Sequence, residues 1–284
     1  MMPPAKRPSG PFAALRGHWP EYLIEAWALG TFMISAGVFA TLLGAPASPL
    51  TKLISSPYLQ RALVGLAMGT TAVALIYSPW GKRSGAHMNP AVTLTFLRLG
   101  KVAPWDAAFF ILAQFAGGVA GVSIAAALLG DAFVTSPIRY VATAPGRFGA
   151  PAAFLAEFLI SALLMSVILR VSNIPRYAKY TGLCAGALVA AYITLEAPLS
   201  GMSMNPARSF ASAFPARLWS DLWLYFVAPV LGMQAAAAWY AHRRGCEAVA
   251  CAKLQHPTDQ RCIHCGYIPP PASATSSDAP GVLQ

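Results

Sequence analysis

The sequence predicts an all-α membrane protein with six transmembrane helices and two re-entrant half-helices, arranged as two inverted repeats. Three observations support this prediction. Hydrophobic residues make up 56% of the 284 positions and charged residues only 11%, whereas a soluble domain carries about 25% charged residues. The apolar residues form six long runs, and the tripeptide Asn-Pro-Ala occurs once in each half of the chain.

Each of the six apolar runs is long enough to cross a bilayer, which takes about 20 residues. Backbone groups in lipid must bond within their own segment, so we expect helices; barrel strands would be shorter and would alternate. The predicted spans cover residues 21–43, 60–79, 105–129, 152–171, 180–198 and 221–242. The predicted membrane domain therefore occupies residues 21–243, between tails at 1–20 and 244–284.

The distribution of basic residues predicts the orientation of the chain. With an inside amino terminus, the inside segments hold fourteen of the twenty Lys and Arg residues. This positive-inside bias predicts that both termini are cytoplasmic. The net charge of +10 is then mostly a matter of orientation and does not indicate a nucleic-acid partner. The first apolar run is too long for a cleavable signal peptide, so we expect an uncleaved first span.

The two halves of the sequence resemble each other beyond Asn-Pro-Ala. The matched repeats cover about 21–130 and 149–243, with a carboxylate, Glu25 or Glu157, near the start of each. The second span of each half carries a Gly-x-x-x-Gly pair, which lets helices approach closely. Three spans per half are an odd number, so the second half enters the membrane from the opposite side. Inverted repeats place a shared site at the midplane.

Each Asn-Pro-Ala copy precedes an apolar segment of about 10 residues, which is half the length needed to cross. The copies are Asn89-Pro90-Ala91 and Asn205-Pro206-Ala207. Asn is a favoured N-cap and Pro a favoured first helical residue. Two half-helices meeting at their N-termini would direct two amide donors and two positive dipole ends at one point. Water could pass such a point, whereas a cation would meet an electrostatic barrier.

These motifs resemble those of the aquaporin family, the major intrinsic proteins. The resemblance covers about residues 21–243 and implies a homotetramer, in a lipid bilayer, with one pore per subunit. It also implies that Glu25 and Glu157 are structural carboxylates that accept hydrogen bonds from the re-entrant loops. Family members conduct water or small neutral solutes, need no cofactor for transport and are not enzymes.

The resemblance gives Arg208 the role of selectivity-filter arginine. The other filter positions correspond to Met68, Ile193 and Met202. Water channels of the family usually carry His where Ile193 stands, so this filter is less polar. Ser209 stands where glycerol facilitators typically carry Asp, and this favours water.

The polar tail contains four cysteines with partly zinc-like spacing: Cys246, Cys251, Cys262 and Cys265. Four thiolates can hold Zn²⁺ tetrahedrally, and His256 can replace one of them. Because a cytoplasmic tail is reducing, disulfides are not expected. The alternative is free cysteines in a loose tail, and we expect the chain beyond about residue 269 to be disordered.

The sequence therefore predicts a passive water channel in the cytoplasmic membrane. The alternative is a facilitator of glycerol or another small neutral solute, such as hydrogen peroxide or ammonia. An ion-coupled transporter is a remote alternative, because such proteins also use inverted repeats. It would need a titratable residue at the midplane, and the central residues here are amides.

Overall fold

The computed structural model describes residues 8–256 and 259–269, and no strand occurs among them. Eight helices build the membrane domain: α1 Pro11–Gly44, α2 Pro57–Tyr77, α3 Pro90–Arg98, α4 Pro104–Leu129, α5 Gly149–Ser172, α6 Thr181–Leu195, α7 Pro206–Ala216 and α8 Leu222–Arg244. Four short helices link them: Pro49–Leu53, Pro79–Ser84, Asp131–Val134 and Ala197–Ser200. Three 3₁₀ turns complete the described helical structure: Arg139–Val141, Ala178–Tyr180 and Cys246–Ala248.

Six of these helices are long and apolar enough to cross a membrane, with α6 counted together with the turn before it. The other two, α3 and α7, have 9 and 11 residues. A helix of that length is about 14–17 Å long, roughly half the hydrocarbon core. The predicted fold class, six spanning helices and two half-helices, is confirmed.

The helices of the two halves pack in matched pairs. In the first half α1 packs along α4, in the second half α5 packs along α8, and α2 packs on its counterpart α6. At the α2–α6 crossing, a Cβ added to Gly69 would lie 2.5 Å from the Gly186 carbonyl oxygen, and one added to Gly186 would lie 2.6 Å from that of Gly69. Only glycine permits this approach, and equivalent residues meeting is what a two-fold relation between the repeats requires.

The first helix is longer than the sequence predicted. It begins at Pro11, ten residues before the predicted span, and Pro20 lies inside it. The extra turns are anchored from the side, because the His18 ring lies 2.8 Å from the Asp106 carboxylate of α4. This extension continues α1 beyond the span that was predicted.

Apolar and polar side chains are distributed as a membrane requires. Leu66, Leu112 and Leu128 point outward and are more than 60% exposed, whereas Glu25 and Glu157 are fully buried. In lipid the outer surface must be apolar, and ionisable groups must face the interior of the bundle. The buried polar groups therefore mark the region where a site is built.

Candidate functional site: a pore between two capped half-helices

Each half-helix begins at the asparagine of its Asn-Pro-Ala motif. The Asn89 side-chain oxygen accepts a hydrogen bond from the Ala91 N–H at 2.8 Å. The Asn205 oxygen accepts from the N–H groups of Ala207 and Arg208, at 3.1 and 3.2 Å. A proline follows each asparagine at the first helical position. Both helices thus have the N-cap geometry that Asn-Pro favours.

The two half-helix tips are joined crosswise. The Asn89 side-chain NH₂ donates to the Met204 carbonyl at 2.6 Å, and the Asn205 NH₂ donates to the Met88 carbonyl at 2.7 Å. From the sequence we expected both amide groups to be donors directed at one central point. In the structure one N–H of each group bonds the opposite loop, and an amide NH₂ carries a second N–H.

The loop before each half-helix has the same unusual backbone in both halves. Ala86 and Met88 have φ of 54° and 49°, and Met202 and Met204 have φ of 49° and 55°. Positive φ is uncommon for residues other than glycine and costs of order 1–3 kcal/mol each. Such strain persists only where the surroundings determine the conformation, and here two buried carboxylates do so.

Glu25 of α1 holds the first loop. Its carboxylate accepts hydrogen bonds from the Ser84 hydroxyl at 2.7 Å and from the backbone N–H groups of His87 and Met88 at 3.1 and 2.7 Å. Gln114 of α4 donates to it at 2.9 Å. Hydrogen bonds to an ionised acceptor are about twice as strong as neutral ones, so this carboxylate can fix the loop.

Glu157 of α5 holds the second loop in the same way. It accepts from the Ser200 hydroxyl and from the backbone N–H groups of Ser203 and Met204, each at 2.7 Å. The hydroxyl of Tyr225 donates to the Ser200 carbonyl and supports the serine from behind. Both carboxylates therefore hydrogen-bond the backbone of the strained loop in their own half.

A cavity of about 180 Å³ passes between the two half-helix tips. Asn89 and Asn205 line its middle. One end is lined by all four residues of the candidate filter: Met68, Ile193, Met202 and Arg208. We call this end the filter-side mouth. Arg208 Nη1 is buried and has no hydrogen-bond partner among the described residues, so it is free to donate to a solute oxygen.

The other end of the cavity, the tail-side mouth, is covered by the carboxyl-terminal tail, here residues 245–256 and 259–269. Leu254 of the tail lines the cavity, and its backbone N–H donates to the Gly85 carbonyl at 3.2 Å. His87 Nε2 lies 2.8 Å from the Ala252 carbonyl oxygen, and Lys253 Nζ donates to the Lys82 carbonyl at 2.9 Å.

Sequence reasoning missed this docking. The available sequence signal was the short apolar segment that ends at Leu254, in a tail that is otherwise polar. Within it Val249, Ala252 and Leu254 are buried, with exposures of 1%, 0% and 5%.

The tail also brings together four residues able to bind a metal: Cys251, His256, Cys262 and Cys265, whose ligand atoms all lie within 4.8 Å of one another. Cys246, included among the predicted ligands, is exposed and lies outside this group, and His256 takes its place. The chain after Cys246 is held elsewhere, because Val249 is buried and the Ala250 N–H donates to the Asn173 side chain at 2.7 Å.

Hydrogen bonding within the cluster favours a thiolate at Cys262. The pKa of Cys262 is lowered, chiefly because the Cys251 and Cys265 thiols hydrogen-bond its sulfur. The pKa of His256 is raised to about 9, because its ring hydrogen-bonds the sulfurs of Cys262 and Cys265. The thiolate is the form of cysteine that ligates metals, so the cluster is compatible with a bound ion.

Fold and cavity define a helical membrane pore protein built from two inverted repeats. Comparison with known proteins identifies the family: the major intrinsic protein model matches residues 18–240, and the chain belongs to this family. Its members are channels, not enzymes.

Two plant relatives illustrate the similarity. The chain is 36% identical over 175 residues to a probable aquaporin of NIP type from Nicotiana alata, covering 61% of this chain and 62% of the relative. It is 38% identical over 167 residues to a putative aquaporin, NIP4-1, from Arabidopsis thaliana, covering 58% of this chain and 56% of the relative. The chain thus spans about three fifths of the length of these relatives.

A solved structure has the same fold. The aquaglyceroporin from Plasmodium falciparum superposes with a TM-score of 0.65 at 21% identity, over 79% of this chain and 96% of that chain. At this identity the similarity concerns the arrangement of the helices and not the choice of solute.

Proposed function

We propose that the protein is a passive transmembrane water channel that excludes ions and protons. The observation that carries this proposal is a single cavity lined by both capping asparagines and by Arg208. The proposed channel works as a homotetramer with one pore per chain, and transport needs no cofactor.

The proposed mechanism follows from the fixed donors in a mostly apolar cavity. A water molecule between the half-helix tips accepts hydrogen bonds from the free N–H groups of Asn89 and Asn205. The oxygen of this water then accepts from both asparagines, so the water can only donate hydrogen bonds to the waters above and below it. A continuous chain of waters that conducts protons is therefore interrupted. A cation meets the positive ends of two helices and the guanidinium of Arg208, which together form an electrostatic barrier.

The alternative function is facilitation of glycerol or another small neutral solute, such as hydrogen peroxide or ammonia. The observation that favours it is the filter, where Met68, Ile193 and Met202 leave Arg208 as the only charged member. An apolar wall accepts a carbon skeleton more readily than a polar wall does. Water and solute permeability therefore need to be measured together.

We infer that the protein lies in the cytoplasmic membrane with both termini inside. The basic residues support this orientation, since Lys82, Arg83, Lys179 and Arg243 all lie at the tail-side ends of helices or in the adjoining loops. Basic residues accumulate on the cytoplasmic side of membrane proteins. The tail-side mouth is then the cytoplasmic mouth.

Stopped-flow light scattering of proteoliposomes tests the proposal. A water channel predicts shrinkage in an impermeant osmolyte faster than that of empty vesicles, without saturation and without an ion gradient. Ile193→His makes the filter more polar and narrower, so glycerol flux should fall more than water flux. Water permeability equal to that of empty vesicles under every condition would exclude the channel, and flux that needs a proton or sodium gradient would indicate a coupled transporter.

A further inference from the structure

We propose that Cys251, His256, Cys262 and Cys265 bind one Zn²⁺ ion, and that the metal-bound tail closes the tail-side mouth of the pore with Leu254. The metal site stands on the geometry of the tail alone. The closure rests on the proposed channel function, and its test separates the two.

The cluster has the dimensions of a tetrahedral zinc site. Cys251 Sγ lies 3.5 Å from Cys262 Sγ, and His256 Nε2 lies 3.1 Å from Cys265 Sγ. Zn–S bonds of about 2.3 Å at the tetrahedral angle place two sulfurs about 3.8 Å apart. Small shifts of these side chains therefore suffice for them to bind the ion. Three cysteines and one histidine form a closed structural zinc site, and soft sulfur ligands select against magnesium and calcium.

The backbone around the cluster is shaped for a metal. The Gly266 N–H donates to the Cys262 carbonyl at 3.0 Å and the Cys262 N–H donates to the Tyr267 carbonyl at 2.8 Å, which closes a tight turn over the Cys-x-x-Cys pair. Gly266 has φ of 75°, which suits glycine. A segment this short has no core of its own, and metal binding supplies the free energy that holds it folded.

The metal ligands fix the position of Leu254. Cys251 precedes it by three residues and His256 follows it by two, so both sides of Leu254 are anchored to the same ion. Leu254 packs in one buried apolar cluster with Ile76 and Ala86, at the end of the cavity. The metal-bound cluster of cysteines and histidine therefore holds the Leu254 side chain in the pore.

The rest of the tail contacts residues around the same mouth. His264 Nε2 lies 2.9 Å from the Ser84 carbonyl oxygen, and Arg261 donates to the Gly17 carbonyl at 2.8 Å. Ile263 packs against Tyr22 and Phe110. Tail contacts thus reach α1, α4 and the first re-entrant loop. An apolar side chain in a narrow mouth blocks water by dewetting, so release of the tail should open the pore.

The metal site is tested on the purified full-length protein. Elemental analysis should find one zinc per chain, and Co²⁺ exchanged into the protein should show the absorption of tetrahedral thiolate ligation. Cys262→Ser with Cys265→Ser should abolish both results, whereas Cys246→Ser, outside the cluster, should change neither. Substoichiometric zinc in the wild-type protein, or equal loss in the Cys246→Ser variant, would overturn the site.

The closure is tested in proteoliposomes with a membrane-permeant zinc chelator, which reaches the tail in either orientation. Water permeability should rise about tenfold, the change expected if the closed arrangement holds about nine-tenths of the molecules. Added Zn²⁺ should reverse the rise. Leu254→Ala should give the same high permeability while still binding one zinc, and the chelator should then add nothing.

The outcomes distinguish the two proposals. Wild-type permeability that is high and unchanged by the chelator and by Leu254→Ala would overturn the closure and leave the channel intact. Vesicles as tight as empty ones in all variants, with zinc bound, would overturn the channel function while the metal site stands.

Discussion

The two re-entrant loops are each held by a buried glutamate and a serine, and we call this arrangement the inner structure. The chain segments that lie over the loops, which we call the covers, differ between the two halves. In each loop a serine, Ser84 or Ser200, bonds the buried glutamate of its half and also accepts a backbone N–H two residues on, at 3.1 and 3.0 Å. A left-handed glycine follows the serine in both halves. The glutamate, serine and glycine that hold each loop are thus duplicated.

The covers come from unrelated parts of the chain. On the filter side the cover is the connection before α5, where Thr143 Oγ1 lies 2.7 Å from Ser209 Oγ and the Gly146 N–H donates to the Leu199 carbonyl at 2.9 Å. On the tail side the cover is the carboxyl-terminal tail, with Ala252 on His87. The filter-side cover connects two spanning helices, whereas the tail-side cover follows α8. The comparison shows that similar loops can carry different covers, and the closure proposed above concerns the tail-side cover.

The prediction with the largest expected effect concerns the buried glutamates that hold the two loops. Glu25→Gln and Glu157→Gln should each destabilise the protein by about 3 kcal/mol or more, because the amide puts a donor against backbone donors and removes charge-assisted bonds. Thermal unfolding in detergent measures the loss. Glu21→Gln is the matched control on α1, since this buried carboxylate has one hydrogen-bonded partner, Arg83 at 3.1 Å. A tolerated change at either Glu25 or Glu157 would contradict the equivalence of the two halves.

The inner structure was largely predictable from the sequence and the covers were not. Span length, the N-caps and the duplication are local or repeated patterns, so Asn89 and Asn205 could be placed from the residues beside them. The bond between His87 and Ala252 joins residues 165 apart in sequence, and the bond from Asn89 to Met204 joins residues 115 apart. Spacing alone also could not distinguish Cys246 from His256, because burial of Val249 decides which of them reaches the cluster.

The second prediction uses the two left-handed glycines to test whether each cover responds independently of the other. A Cβ on Gly85 would lie 3.2 Å from the Lys253 side chain, and one on Gly201 would lie 3.0 Å from the Ala144 backbone nitrogen. Their φ values of +113° and +80° add backbone strain, so each alanine substitution should cost about 1–3 kcal/mol. Hydrogen–deuterium exchange should rise in residues 249–256 and 259–266 for Gly85→Ala and in residues 142–148 for Gly201→Ala. The same exchange pattern in both variants would mean that the covers are coupled.

The third prediction concerns the polar contact under each cover. His87 Nε2 faces the Ala252 carbonyl oxygen at 2.8 Å, so this ring nitrogen must donate. His87→Phe keeps the ring but leaves the Ala252 carbonyl without this donor, at a cost of about 1–3 kcal/mol. Ser203→Ala removes the 2.6 Å contact with Ser209 and leaves the Asn205 N–H without its serine acceptor, at a similar cost. Chemical denaturation measures both. Only His87→Phe should lower zinc retention, and equal retention in the two variants would contradict the docking of the tail.

The smallest expected effect is at Lys253, which is 3% exposed and donates to Lys82 of the rim. Lys253→Met keeps the stem packed over Gly85 and removes one hydrogen bond from a charged group, so the tail should lose only about 1.5 kcal/mol of docking free energy. Three thiolates, a neutral imidazole and Zn²⁺ carry a net charge of −1, and removal of the ammonium also leaves that charge with less compensation. Zinc affinity should therefore fall slightly, and water permeability should rise less than in Leu254→Ala. If Lys253→Met opened the pore as fully as Leu254→Ala does, the rim contact and not the apolar side chain would be what closes the mouth.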